Sequence, residues 1–234
     1  MSSQAEGHSL HISQQFNVEL EEVKGHMMEM GGVVEKQLAD ALESVVTSNS
    51  NLGLKVSRDD DEIDSLEKQI DEECSLIIAR RQPAASDLRL VLAIIKTIRD
   101  LERIGDESSK IAKMAVKLSE EGEIPSLFVE FKKIGAKVQR MVSMSLNAFA
   151  RFDAEAALEI TKADLEVDMD YRSAMGSMIA YMTEDPRSIT RVLNILWALR
   201  ALERIGDHAK NIAEHVVYLV QGKDVRHEKL EKLE

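Results

Sequence analysis

One short stretch of the sequence occurs twice and decides the fold. The six residues LERIGD stand at positions 101–106 and again at positions 202–207. The residues around them also correspond, at a shift of 101 positions here and of 104 positions in the earlier part of each copy. A period of about 100 residues is too long for the unit of a solenoid. The sequence therefore predicts a duplicated domain.

Long stretches without helix breakers surround both copies. The chain has only three prolines and is rich in Ala, Leu, Glu, Lys and Met, which favour helices. Asn-Gly and Asp-Gly hairpin signals are missing. Turn residues divide the chain into six predicted helices, at about 9–46, 52–81, 85–120, 126–150, 154–183 and 187–221. Because long helices joined by short turns lie antiparallel, we predict an all-α fold of two tandem duplicated three-helix bundles, residues 1–122 and 123–234.

Charge and composition exclude several classes of protein. The 234 residues include 42 Asp and Glu against 30 Lys and Arg, a net charge of −12, which disfavours nucleic acid and anionic lipid as partners. The single cysteine, Cys74, excludes a disulfide framework, and we expect it in the core. The longest apolar run, Leu90 to Ile95, is far shorter than the ~20 residues that span a bilayer. With a polar amino terminus that lacks a signal core, a cytoplasmic protein without membrane insertion is expected.

In both halves the apolar face of the third helix leads into acidic residues. In the second half, helical periodicity predicts a buried stripe of Ile189, Val192, Leu193, Leu196 and Leu199. That face continues into Glu203 and Asp207, as the corresponding face of the first half continues into Glu102 and Asp106. Two carboxylates one turn apart repel each other. Their burial also costs free energy unless a cation compensates it.

The second helix of each half carries a matching pair of acids. Asp60 and Asp64 flank its apolar stripe, and Asp164 and Asp168 do so in the second copy. If the second and third helices pack antiparallel, four carboxylates meet in each half. Such oxygen donors suit Mg²⁺, Ca²⁺, Mn²⁺ or ferric iron, and zinc is also compatible. The predicted metal ligands are Asp60, Asp64, Glu102, Asp106, Asp164, Asp168, Glu203 and Asp207.

Two other interpretations of these acids stay open. Internal salt bridges would neutralise them through nearby cations, namely Arg99, Arg103, Lys110, Arg200 and Arg204. Alternatively, the acids mark the end of the buried stripe and are solvated, as charged runs on helices usually are. The duplication of the pairs favours the metal interpretation.

No sequence motif indicates catalysis. The histidines lack a Glu-x-x-His partner, which disfavours a ferritin-like di-iron site, and His208 is interpreted as an ordinary polar residue. Phosphate-binding loops and nucleophile motifs are missing. A non-enzymatic adaptor is therefore expected, with a carboxylate-bridged metal-dependent hydrolase as the alternative and a purely structural helical spacer as a third possibility.

Further motifs relate the sequence to a known family. They are HISQQF at 11–16, MGG at 30–32, ARRQP at 79–83, ASDLR at 85–89, the two ERIGD segments, and Gly-x-Asp-x-Arg-His at 222–227. In these motifs, which span almost the whole chain, the sequence resembles the PhoU family of bacterial phosphate-specific transport accessory proteins.

The resemblance implies a fold of two three-helix bundles and a cytoplasmic, non-enzymatic negative regulator of the phosphate-starvation response. Such a regulator relays the state of the phosphate ABC transporter, through its ATPase subunit, to the phosphate-sensing histidine kinase. A homodimer is also implied. Some family members bind metal clusters through paired E(D)-x-x-x-D motifs, which correspond here to the eight acids named above. The metal would be Mg, Mn, Fe or Zn.

Overall fold

The protein consists of long α-helices. The computed structural model describes the backbone of residues 2–58, 60–121 and 125–225, and the side chains of residues 14–58, 61–120 and 129–225. The α-helices are α1 (Ser2–Val46), α2 (Ser50–Arg58), α3 (Asp60–Arg81), α4 (Ala85–Glu121), α5 (Pro125–Arg151), α6 (Ala154–Glu184) and α7 (Ile189–Gln221).

The predicted all-α fold class is confirmed, and the described residues contain no strand. Five of the six predicted helices occur as single α-helices. The predicted second helix is described as α2 and α3, with residue 59 between them outside the described part of the chain. The last helix begins at Ile189, after a short 3₁₀ turn at Pro186–Ser188. Over the described ranges, no helix combines the length and the apolarity that crossing a membrane requires.

The two halves of the chain share one core. Helices α1 to α4 pack together, helices α5 to α7 pack together, and α4 lies extensively against α7. The buried apolar side chains of both halves form one continuous cluster. Cys74 is fully buried in it, as predicted, and burial raises the pKa of its thiol to about 12. That thiol is therefore an unreactive core side chain.

Among the contacts between α1 and α5 are two that are reciprocal, and we call this pair the α1–α5 seam. A Cβ atom added to Gly31 on α1 would lie 2.7 Å from Cδ2 of Leu146 on α5. A Cβ atom added to Gly135 on α5 would lie 2.7 Å from Cδ2 of Leu42 on α1. Each glycine therefore makes room for a leucine of the other half. Because Gly31 corresponds to Gly135 and Leu42 to Leu146 in the repeat, the two contacts are equivalent.

The predicted buried stripe at the start of α7 is wrong for two of its residues. Ile189 is 42% exposed and Leu193 is 44% exposed, whereas Val192 and Leu199 are fully buried. The buried face is rotated away from the predicted one and includes Ile195. Helical periodicity shows that a helix has an apolar face, but neighbouring helices decide how much of that face is covered.

Candidate functional site: two acidic clusters and a polar seam

The first acidic cluster lies between α3 and α4. Its central residue is Glu102, whose side chain is only 18% exposed. Burial and the carboxylate of Asp106 raise the pKa of Glu102, and the carboxylates of Glu67 and Asp64 raise it further, against the lowering effect of Arg103. We define the first acidic cluster as Asp64, Glu67, Glu102 and Asp106.

Three acidic residues of α3 bear on the ligand prediction for this half. Asp60 is the first residue of α3, but its side chain lies outside the described residues. Glu67 was not among the predicted ligands, because its counterpart in the second half is Tyr171 and the repeat gave no signal. Its position one turn after Asp64 on the same helix could have indicated it. Asp64 itself is exposed.

One cation accompanies the first acidic cluster in the described structure. Nε of Arg103 lies 3.3 Å from Oε2 of Glu102, and its Nη1 donates a 3.1 Å hydrogen bond to Oδ2 of Asp106. Arg103 is largely exposed. Because the cluster has four carboxylates and one paired cation among the described residues, these contacts neutralise the cluster only in part.

The second acidic cluster lies between α6 and α7 and consists of Asp164, Asp168, Glu203 and Asp207. Asp164 is buried, and the Glu203 side chain is 13% exposed. Burial is the main factor that raises the pKa of both groups, and the carboxylates of Asp207 and Asp168 raise each pKa further. The four predicted residues of this half therefore come together, although Asp207 is exposed.

Three cations of the described residues accompany the second acidic cluster. Nζ of Lys210 donates a 2.9 Å hydrogen bond to Oδ2 of Asp164, and Nη1 of Arg200 donates a 2.5 Å hydrogen bond to Oε1 of Glu203. Nη2 of Arg172 lies 3.7 Å from Oδ2 of Asp168. Burial disfavours the ammonium of Lys210, but the hydrogen bond to Asp164 and the negative charges of Asp164, Glu214 and Asp207 together outweigh it and raise the pKa of Lys210.

The salt-bridge interpretation is thus correct for part of the site and wrong for the rest. Arg103 and Arg200 pair with the predicted acids, but Lys110 and Arg204 pair with Glu107. Lys210, which was not predicted, pairs with Asp164 instead.

The donor chemistry of both clusters suits a hard cation. In the second cluster, Oε2 of Glu203 is buried and has no hydrogen-bond partner among the described residues. Within the described side chains, however, no three acidic, histidine or cysteine groups are already gathered around one metal position. Binding would therefore require side-chain rearrangement, and the eight ligand assignments stay predictions.

A polar contact joins the two halves between α4 and α7, and we call it the α4–α7 seam. Asp100 on α4 is largely buried and contacts three side chains of α7: Nδ1 of His208 at 2.8 Å, Nδ2 of Asn211 at 3.0 Å and Nε2 of His215 at 2.9 Å. Burial alone would raise the pKa of Asp100, but the hydrogen bonds from His208, His215 and Asn211 outweigh it and lower that pKa.

Glu107, also on α4, completes the seam. Its buried carboxylate lies 2.7 Å from Nη1 of Arg204 on α7 and accepts a 3.0 Å hydrogen bond from Nζ of Lys110. Sequence reasoning missed the seam because Asp100 corresponds to Ala201 in the repeat. The spacing of His208, Asn211 and His215 on one face of α7 was the available signal.

Tandem helical bundles with a duplicated acidic motif define the class of protein to which this chain belongs. A family model described as the PhoU domain matches it twice, over residues 27–115 and 131–216. The chain belongs to the PhoU family.

Curated relatives support the same assignment. One is the phosphate-specific transport system accessory protein PhoU homolog of Pseudomonas aeruginosa, 58% identical over 217 residues that cover 93% of this chain and 90% of the relative. Another is the phosphate-specific transport system accessory protein PhoU of Escherichia coli, 43% identical over 226 residues that cover 95% of this chain and 93% of the relative.

Solved structures also match the fold. The crystal structure of PhoU from P. aeruginosa has a TM-score of 0.87 and 56% identity, covering 89% of this chain and 100% of that one. The phosphate transport system regulatory protein PhoU from Streptococcus pneumoniae has a TM-score of 0.84 and 28% identity, covering 90% of this chain and 99% of that one.

Proposed function

We propose that this protein is a cytoplasmic, non-enzymatic regulator of phosphate homeostasis. It senses the state of the phosphate ABC transporter through the ATPase subunit, relays that state to the phosphate-sensing histidine kinase, and so represses the phosphate-starvation response. Relatives that cover more than nine-tenths of the chain are named as accessory proteins of the phosphate-specific transport system.

One structural observation carries the adaptor role. Ile189, Leu193 and Trp197 lie four residues apart on the solvent side of α7, and Trp197, the only tryptophan of the chain, is 65% exposed. Residues at this spacing share one helix face. Exposed apolar patches mark interaction sites on soluble proteins, and tryptophan is enriched among the residues that dominate binding energy.

The charges next to this apolar stripe indicate the chemistry of the partner. Arg200 and Arg204 follow Trp197 on the same face of α7, and both guanidinium groups are about half exposed. Because arginine has five N–H donors, each retains donors beyond its ion pair within the protein. We assign this surface to the transporter ATPase subunit, and we expect there an apolar pocket bordered by carboxylates.

A pull-down with the purified ATPase subunit tests this assignment. Trp197→Ala is expected to weaken binding at least tenfold, because it removes the largest exposed apolar group of the stripe. Val129→Ala on α5 is the matched control, since Val129 is exposed to a similar extent. If Trp197→Ala binds like the wild type, the stripe is not the docking surface. If the wild type binds neither the ATPase subunit nor the kinase sensor domain, the adaptor proposal is wrong.

Deletion of the gene tests the regulatory role in the cell. Constitutive expression of starvation genes in high phosphate is expected, because the repressing relay is lost. A normal response would contradict the regulatory proposal.

Metal binding and dimer formation are also part of the proposal. The acidic clusters would hold Mg, Mn, Fe or Zn. The positive charge of the metal would hold α3 to α4 and α6 to α7, and elemental analysis of the purified protein tests this.

Exposed apolar residues on α6 support a homodimer, namely Leu165, Met169 and Ile179. A monomer in light scattering would contradict the dimer. Metal-dependent phosphoester turnover that Glu102→Ala abolishes would instead favour the hydrolase alternative.

A further inference from the structure

A histidine closes the edge between α1 and α3. Nδ1 of His26 on α1 lies 2.7 Å from Oε2 of Glu73 on α3, and Gln69 donates a 2.9 Å hydrogen bond to the other oxygen of that carboxylate. Two turns away along α1, Arg81 of α3 donates hydrogen bonds of 2.6 and 2.9 Å to Glu19. We call the His26–Glu73 and Glu19–Arg81 contacts together the α1–α3 clasp.

The corresponding edge of the second half is closed by lysines. Nζ of Lys133 on α5 donates a 2.8 Å hydrogen bond to Oδ1 of Asp170 on α6, and Nζ of Lys137 donates one of 2.8 Å to Oε2 of Glu166. Lysine keeps its charge throughout the neutral pH range, whereas histidine changes its charge there. Among the described contacts of these two edges, only the α1–α3 clasp therefore contains a cation that titrates near neutral pH.

The backbone of α1 is also less constrained than that of α5. Gly25 and Gly32 are exposed residues on either side of His26, and a Cβ atom added to either would meet no atom within 4 Å. At the corresponding positions α5 carries Val129 and Ala136. Glycine within a helix costs free energy because it has more backbone freedom than other residues. In the described structure no packing contact requires this freedom, so it indicates that α1 bends here.

The α1–α3 clasp borders a cavity between the two helices. The cavity has a volume of about 240 Å³, and its walls include Val23 of α1 and Leu76 and Ile77 of α3. Arg80 of α3, which is exposed, lines the same cavity and is the cation of α3 that faces His26. Because atoms that line a cavity have fewer partners, less apolar packing opposes a separation of the helices at this edge.

The acidic side chains around His26 favour its protonated form. The hydrogen bond with Glu73 is the main factor that raises the pKa of His26 above 6.5, and the charges of Glu73, Glu29 and Glu22 raise this pKa further, against the lowering effect of burial. A raised pKa gives stability that is complete below the unfolded-state pKa and is lost as the pH rises through the folded-state pKa. The contact between His26 and Glu73 should therefore weaken as the pH rises above about 6.5.

Cations of the other neighbouring helices and of α1 are engaged away from His26. Lys24 of α1 donates a 3.2 Å hydrogen bond to a main-chain carbonyl of α5. On α4, Lys96 and Arg89 lie against the carboxyl-terminal end of α7. Lys55 of α2 lines a separate cavity farther along α1. The protonation of His26 therefore responds mainly to the carboxylates of α1 and α3.

We propose that the part of α1 before Gly32 is a pH-dependent arm, clasped to α3 while His26 is protonated and released from α3 at higher pH by bending at Gly25 and Gly32. The protonated imidazole donates to the Glu73 carboxylate, and the neutral imidazole loses the attraction between opposite charges. The pair of Glu19 and Arg81 stays charged throughout. A rise in pH therefore shifts the population toward the open arrangement without fully detaching the arm.

Cys74 can report the opening of this edge. It is the only cysteine of the chain, it follows Glu73 on α3, and it is fully buried in the core. Opening of the edge between α1 and α3 would expose its thiol to iodoacetamide. Division of the labelling rate of the folded protein by that of the urea-unfolded protein at the same pH removes the ordinary pH dependence of thiol reactivity.

Labelling of the full-length protein tests the proposal. The normalised rate of the wild type is expected to rise about threefold from about pH 6 to about pH 8, the size expected for loss of a partly exposed ion pair. His26→Gln should label at the high rate at both pH values, and His26→Lys, which keeps the charge, at the low rate. Glu72→Gln is the matched control, because it removes the neighbouring exposed carboxylate and should keep the pH dependence of the wild type.

Two results would overturn the proposal. One is a normalised rate of the wild type that does not change with pH, including labelling too slow to detect. The other is a wild-type pH dependence in His26→Gln. If His26→Lys fails to fold, as a circular dichroism spectrum would show, His26→Gln still decides the question.

Urea separates opening of the arm from unfolding of the whole protein. Because a local opening exposes little surface, the normalised rate should be nearly constant in urea below the unfolding transition. A rate that rises steeply with urea would show that Cys74 reacts only in the unfolded protein, and it would overturn the proposal. Gly25→Ala combined with Gly32→Ala stiffens α1 and should slow labelling at about pH 8 at least threefold. An unchanged rate in this double variant would contradict bending at the glycines.

Discussion

Two of the contacts between the halves of this protein, the α1–α5 seam and the α4–α7 seam, differ in chemistry. The α1–α5 seam is apolar and symmetric: Gly31 receives Leu146 as Gly135 receives Leu42. The α4–α7 seam is polar and asymmetric, because Asp100 contacts three side chains of α7 while its repeat counterpart is Ala201. The glycine–leucine contact therefore occurs in both copies of the repeat, whereas the contact of Asp100 depends on a residue that only the first copy carries.

The largest expected effect comes from breaking the polar seam. Asp100→Ala removes the acceptor that contacts His208, Asn211 and His215. Because buried polar groups would lose their partner, we expect the free energy of unfolding to fall by about 3–5 kcal/mol. Urea unfolding monitored by circular dichroism measures the change.

The neighbouring exposed residue provides the control for this substitution. Arg99→Ala should change the free energy of unfolding by less than about 0.5 kcal/mol. A loss of less than about 1 kcal/mol in Asp100→Ala would show that the seam does not depend on this carboxylate.

A smaller effect is expected from overfilling the apolar seam. Gly31→Val and Gly135→Val each place a side chain where a leucine of the other half already lies. Overpacking of this kind costs about 1–3 kcal/mol, and because the contacts are equivalent, the two variants should lose similar free energies of unfolding. Urea unfolding of both variants measures the comparison.

Gly32 is the control that separates the effect of overpacking from the effect of replacing a glycine within a helix. It is an exposed helical residue with no atom within 4 Å of an added Cβ. Gly32→Ala should therefore stabilise the protein by up to about 1 kcal/mol.

The losses in free energy of unfolding of Gly31→Val and Gly135→Val should be alike. A difference of more than about 1.5 kcal/mol between them would contradict the symmetry of the α1–α5 seam.

The pH dependence of the polar seam has a defined direction. Burial of Asp100 is outweighed by the hydrogen bonds that it accepts, so its pKa in the folded protein lies below the ordinary value of 3.8. A lowered pKa gives stability that is complete above the unfolded-state pKa and is lost as the pH falls through the folded-state pKa. The difference in free energy of unfolding between the wild type and Asp100→Asn should therefore narrow as the pH falls below about 4. A difference that grows over this range would contradict the assignment.

Much of the fold could be predicted because helix signals are local. Proline positions, turn residues and apolar periodicity are properties of neighbouring residues, and they placed most helix ends to within a few positions, although α1 begins at Ser2 and not near residue 9. The stripe of Ile189 and Leu193 could not be placed correctly, because exposure depends on which helices cover α7. Those two residues now belong to the proposed docking surface.

Some residues of the candidate site could be predicted from the sequence and others could not. The duplication indicated Glu102 and Glu203, which are both largely buried. It could not indicate Glu67, Asp100 or Lys210, because the repeat carries a different residue type at each corresponding position. Comparison of two copies detects what they share and misses what distinguishes them.

The sequence by itself determined the helices, the duplication and the acidic motif, since each is encoded in residues close together along the chain. The tertiary structure decided which cation meets which carboxylate. Lys210 reaches Asp164 on another helix, and Asp100 contacts residues more than 100 positions away. The pairing of these charges depends on the packing of α4, α6 and α7, because electrostatic interactions act through distance in space and not along the chain.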